Sequence, residues 1–106
     1  MDRRLLFDDE LRAILQEVLG YVNLYFQPPD SVLMKYDAIR YSRKTFKVKW
    51  ANNRSYNIRD EYEVIVISRD PDSELPRKIQ EHFMCCRPGR QYMADNLYHF
   101  PFTIYY

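Results

Sequence analysis

Glycine is scarce in this 106-residue chain, with two in all, and so is cysteine, also two. Two glycines argue against a glycine-rich phosphate loop, which needs several positions where backbone can approach a phosphate closely. The cysteines are adjacent, Cys85 and Cys86. A disulfide between neighbours is strained, so two reduced thiols and a reducing compartment are expected. Their spacing fits neither a CxxC pair nor a zinc pattern. No apolar run approaches the length that spans a bilayer, and Leu5-Leu6-Phe7 is too short for a secretory signal. Neither sign of charge dominates. Sixteen Lys and Arg stand against fifteen Asp and Glu, a formal net charge of +1, which gives no bulk attraction to nucleic acid or to an anionic membrane.

Aromatic residues are plentiful: ten Tyr, six Phe and one Trp, 16% of the chain. With 46% hydrophobic and 29% charged residues, the chain reads as one globular domain over residues 1–106, too small for a deep cleft between two lobes. Aromatics suit strands and interfaces.

Leu11, Ile14, Leu15, Val18 and Val22 follow the spacing of one apolar helical stripe. Asp8 and Asp9 sit where an N-cap belongs, unless Leu5 and Leu6 carry the apolar face back toward Arg4. Gly20 is a natural stop. A short aromatic strand is expected over residues 23–27, closed by Pro28-Pro29. Residues 32–45 and 46–51 read as two further strands, with a turn at Asn52-Asn53. Residues 62–68 make the clearest strand, apolar on both faces and so central and covered at least partly on both sides. Asp70-Pro71 ends it. Asp72 or Ser73 then caps a second helix with Pro76 in its first turn and Leu75, Ile79 and Phe83 along one stripe. Beyond it come a break at Pro88-Gly89, a turn at Asp95-Asn96 and a final strand in which Phe102, Ile104 and Tyr106 share a face. The expected fold is α+β: a mostly antiparallel sheet of about five or six strands packed against two helices, in the order α-β-β-β-β-α-β-β.

Three sets of residues invite a chemical reading. Cys85-Cys86 with His82 or His99 suggests a thiol nucleophile or a metal site, but four ligands do not lie close, and buried thiols explain the pair. Asp70, Asp72 and Glu74 alternate like the opening of a calcium loop, but its glycine and terminal bidentate Glu are missing, and strand termination with helix capping accounts for them. Asp95-Asn96 with His99 is ordinary turn chemistry. The sequence therefore assigns no catalytic residue, metal or cofactor. The remaining candidate is an interface: Arg40, Arg43, Lys44, Lys47 and Lys49 form a basic band interleaved with Tyr41, Phe46 and Trp50, and Tyr25 joins them from the short aromatic strand. Such a band can stack and neutralise nucleic acid, or meet an acidic protein surface.

The ordered set Tyr25-Phe26-Gln27-Pro28-Pro29-Asp30-Ser31, Met34-Lys35-Tyr36, Ala51-Asn52-Asn53, Arg69-Asp70-Pro71-Asp72-Ser73 and Ala94-Asp95-Asn96-Leu97-Tyr98-His99 resembles the small tail-terminator, or tail-completion, proteins of the neck of long-tailed bacteriophages. The resemblance runs from about residue 23 to the end. It implies an α+β subunit in a homohexameric ring that caps the tail tube, stops its polymerisation and offers a joining surface to the head. It also implies a place in the virion neck after assembly in the host cytoplasm, with no membrane partner. The implied partners are other copies of itself, the tail tube protein and a head-completion or connector protein, with DNA in the lumen as a further contact. It carries no catalytic residues. A head-completion role at the same neck, and a small nucleic-acid-binding module built on residues 40–50, are the alternatives.

Overall fold

The computed structural model describes residues 3–29, 33–51 and 54–106, with side chains outside residues 3 and 45–59. Eight elements follow in order: α1 (Arg3–Leu19), β1 (Leu24–Phe26), β2 (Ala38–Ala51), β3 (Arg54–Ser68), α2 (Leu75–His82), β4 (Cys86–Pro88), β5 (Tyr92–Ala94) and β6 (Leu97–Tyr105). The strands form one six-stranded sheet in the order β1-β2-β3-β6-β4, with β5 also paired to β6. Among the described residues only β1 and β2 run parallel; the other pairs are antiparallel. The α+β class and the sheet on two helices are as the sequence predicts. The division of the strands differs: three precede α2 and three follow it. Residues 38–51 form one continuous strand rather than two, because β3 pairs along its whole length across two register irregularities. The expected turn at Asn52-Asn53 lies outside the described residues.

The helices dictate which face of the sheet is buried. On α1 the buried residues are Phe7, Leu11, Ile14 and Leu15, one stripe at helical spacing. The earlier start near Arg4 that Leu5 and Leu6 suggest is found, but the two residues do not extend the buried face. Both are exposed, and Phe7, one residue on, takes the position facing the sheet. Since the helix begins at Arg3, Asp8 is not its cap but a residue of its second turn, where it pairs with Arg12 at 2.6 Å. Gly20 ends α1 at φ +80°, its N–H donating to the Gln16 carbonyl at 3.1 Å. Val22 thus falls beyond the helix, although it still packs on the core.

On α2 the stripe Leu75, Ile79 and Phe83 is buried as expected. Its N-cap is Glu74, without a side-chain bond, rather than Asp72 or Ser73; the Ser73 hydroxyl accepts the Leu75 N–H at 3.3 Å. Both stripes meet Ile39 and Tyr41 of β2, Tyr62, Val64 and Val66 of β3, and Phe102 and Ile104 of β6 in one cluster. This is a two-layer arrangement, with helices on one face of the sheet only. As predicted, β3 is the central strand. On the face away from the helices, Ala38 and Ile67 are buried at one end, whereas Ile65 is only half-buried.

β6 pairs with β3 only over Glu61–Ser68, and β1 pairs with β2 only over Ile39–Tyr41. Asp60, opposite Phe46, still exchanges two backbone hydrogen bonds with Tyr106. Beyond it, among the described residues, β2 and β3 continue paired to each other through Lys47↔Arg59, Lys49↔Tyr56, Trp50↔Ser55 and Ala51↔Arg54. The result is a two-stranded ribbon that leaves the body of the sheet. Its five β2 residues from Lys47 to Ala51 reach about 17 Å at the usual rise per residue. The molecule is accordingly elongated, 48 × 26 × 25 Å.

Candidate interaction surface

Strand alternation splits the predicted interface band between two faces. Ile39, Tyr41 and Arg43 lie on the helix side, and Arg40, Ser42 and Lys44 on the other. Tyr41 is not an interface residue: it is 1% exposed and closes the core. Its hydroxyl donates to Asp8 Oδ1 at 2.5 Å and accepts from Arg4 at 3.2 Å, tying α1 to β2. Burial, reinforced by the Asp8 carboxylate, raises the Tyr41 pKa well above its ordinary value of 10.0. Arg43 stands at the margin of the same face. Its Nε lies 3.2 Å from Asp60, and its guanidinium lies 5.8 Å from the Tyr62 ring. Tyr62 donates its hydroxyl to Asp60 at 3.1 Å. Burial raises the Tyr62 pKa, and the Arg43 hydrogen bond opposes that rise. Lys44 lies 3.9 Å from Glu61. The root of the ribbon is thus a neutralised collar in which two cations of β2 face two carboxylates of β3.

The other predicted residues separate into two places. Arg40 is exposed on the sheet face opposite the helices, and register sets it in a row with Tyr25 of β1, Ile65 of β3 and Pro101 of β6. The next row is Ser42, Glu63, Thr103 and Arg87. Tyr25 is half-buried, its hydroxyl accepting the Lys35 N–H at 2.9 Å. Phe46 faces Asp60 at the root of the ribbon, and Lys47, Lys49 and Trp50 belong to the ribbon itself; the backbone pairing places them, and their side chains lie outside the description.

The acidic segment after β3 is a backbone fitting. The Asp70 carboxylate accepts the Asp72 N–H at 2.9 Å, and Ser68 Oγ accepts the Asp70 N–H at 3.0 Å. Sequence reasoning missed the residue that organises this end. Asp37 accepts the Ser68 hydroxyl at 2.8 Å and the Arg69 N–H at 3.0 Å, and its carbonyl accepts from Asn23 at 3.1 Å. One residue joins the starts of β1 and β2 to the end of β3. A single Asp before an apolar strand gives no sequence signal of such a role. At the β5–β6 turn, Asp95 and Asn96 adopt φ of 53° and 61°, the two-residue hairpin geometry that Asp and Asn tolerate best after Gly.

The residues of the thiol reading that the sequence set aside divide between two places. His99 stacks on Tyr92 at 4.7 Å and contacts the Leu97 carbonyl. Neither cysteine is in a disulfide; both are half-buried, and burial pushes the Cys86 thiol pKa up, away from the thiolate. Cys85 lines a groove of about 400 Å³ with Glu10, His82, Met84 and Tyr106, in which His82 Nε2 lies 2.8 Å from Glu10 and Tyr106 donates to the same carboxylate. Among the described residues no three His, Cys, Asp or Glu side chains come together as metal ligands, and no helix is long and apolar enough to cross a membrane. Comparison with known protein families and with curated proteins finds no match to this chain.

Proposed function

We propose that this protein is a structural subunit of a bacteriophage neck, a tail terminator that closes into a homo-oligomeric ring on the tail tube, stops tube growth and presents the head-joining surface. The supporting observation is the half-covered sheet. Two helices bury one face, while the row Tyr25, Arg40, Ile65 and Pro101 leaves the other mixed in polarity and open. A face of that kind is buried economically against another protein, and ring closure requires two different surfaces on each subunit. Three of the segments that carry the resemblance, Met34-Lys35-Tyr36, Arg69 to Ser73 and Ala94 to His99, gather at the end of the sheet away from the ribbon. Those at Asp30-Ser31 and Asn52-Asn53 lie outside the described residues. The function follows from assembly rather than chemistry, so no catalytic residue is assigned.

The deciding experiment removes the gene and images the particles. Overlong tails support a terminator. Tails of normal length beside heads that lose their DNA support the head-completion alternative and overturn the proposal. In the complementary experiment, purified protein added to growing tubes is expected to halt their elongation.

A further inference from the structure

The near-neutral total charge conceals a separation of charge. Residues 38–59 hold seven of the sixteen cationic residues and none of the fifteen carboxylates, so the rest of the chain carries nine cations against fifteen acids, a net of −6. The cationic segment coincides with β2 and the first part of β3. At its root the chain supplies its own counter-charges, Asp60 to Arg43 and Glu61 to Lys44. Farther out, the ribbon carries Lys47, Lys49, Arg54 and Arg59, and that stretch contains no acid.

We infer that this ribbon is a docking element for double-stranded DNA, holding backbone phosphates with its distal cations. Overall neutrality is no objection, because the acidic charge lies on the body. The ribbon reaches about 17 Å beyond it, about twice the Debye length of about 8 Å at physiological salt, so the body's acids are largely screened from a polyanion on its outer part. A two-stranded antiparallel ribbon also has the width that a duplex major groove of about 12 Å admits. Phosphate contacts from four cations carry affinity and little sequence preference, which suits a protein that meets DNA of any sequence. The inference does not depend on the neck assignment.

The test measures fluorescence anisotropy of a labelled 30-base-pair duplex, and of the matching single strand, titrated with the full chain at several salt concentrations. Four phosphate contacts predict a slope of log K against log salt of about −3.6, hence a loss of about a hundredfold in affinity between 50 and 200 mM salt. The variant Lys47→Gln/Lys49→Gln/Arg54→Gln/Arg59→Gln is expected to lose at least tenfold in affinity and most of that slope, with its thermal melt unchanged. The control Arg77→Gln/Arg90→Gln, which removes two exposed cations of the body, is expected to stay within twofold of the parent. No binding at 50 mM salt, or binding that the quadruple variant retains, overturns the inference. Tighter binding of the single strand overturns the duplex assignment. A quadruple variant that changes only self-association, measured by sedimentation, assigns the ribbon to a second copy of this chain instead.

Discussion

Phe7 is the residue at which the two layers meet. Its ring lies 5.5 Å from Tyr41, 4.6 Å from Tyr62, 5.2 Å from Phe83 and 5.0 Å from Tyr106, so α1, α2 and two strands all pack on it. Removing a fully buried ring costs its transfer free energy and leaves a cavity. Phe7→Ala is therefore expected to destabilise the fold by about 3–5 kcal/mol, read from urea unfolding. Tyr41 and Tyr62 make the fold sensitive to alkali. Both have a folded pKa above the ordinary 10.0, so as pH rises past 10 the unfolded chain loses these protons first. The folded state then binds more protons than the unfolded, and stability falls with rising pH. Their contribution is complete below pH 10 and declines above it. Unfolding measured at pH 8 and pH 10.5 is expected to show the decline, and Tyr41→Phe is expected to make it shallower.

Among the elements, α1 and the ribbon are opposites. The helix is held by a buried stripe, by Tyr41 on Asp8 and by a Gly20 terminus that an L residue fits only under strain. A Cβ at Gly20 meets nothing within 4 Å, so Gly20→Ala tests the φ of +80° alone and is expected to cost about 1 kcal/mol in a thermal melt. Among the described residues the ribbon has no third strand. Isolated two-stranded ribbons are marginal in water, and among the described residues β6 pairs with β3 over residues 61–68 and not over 54–59. Hydrogen exchange is expected to run at least a hundredfold faster over residues 54–59 than over residues 62–66, until a partner occupies the ribbon. Equal protection of the two stretches in the isolated chain would show that the ribbon opens only with the body.

For the whole molecule, the proposal of an assembly subunit makes the open sheet face separable from stability. Ile65 lies half-buried on that face, away from the helical core. Ile65→Arg is expected to leave the monomer's unfolding midpoint nearly unchanged while abolishing ring formation and tube capping, measured by sedimentation and by tube elongation. A variant that still forms rings would move the interface elsewhere. The elongated shape, 48 Å in its longest dimension, and the separation of +7 on one segment from −6 on the rest are both properties of the folded chain.

By itself the sequence determined what short-range chemistry dictates. The helical spacing of Leu11, Ile14 and Leu15, the stripe Leu75, Ile79 and Phe83, the stop at Gly20, the turn at Asp95-Asn96 and the alternation of residues 62–68 each specify their own element, and together they define an α+β domain with a central strand. Tertiary structure decided what depends on partners distant in the chain. Pairing with β3 joined residues 38–51 into one strand, and strand alternation sent Tyr41 into the core and Arg40 to the open face, although both belong to one basic, aromatic band. Helix position chose Phe7 over Leu5 and Leu6. Asp37 became a junction only because three strand ends converge on it. Charge order in the chain became charge separation in space because β2 and β3 pair with each other along the cationic segment, and which strands pair is settled by contacts distant in the chain, not by local propensity.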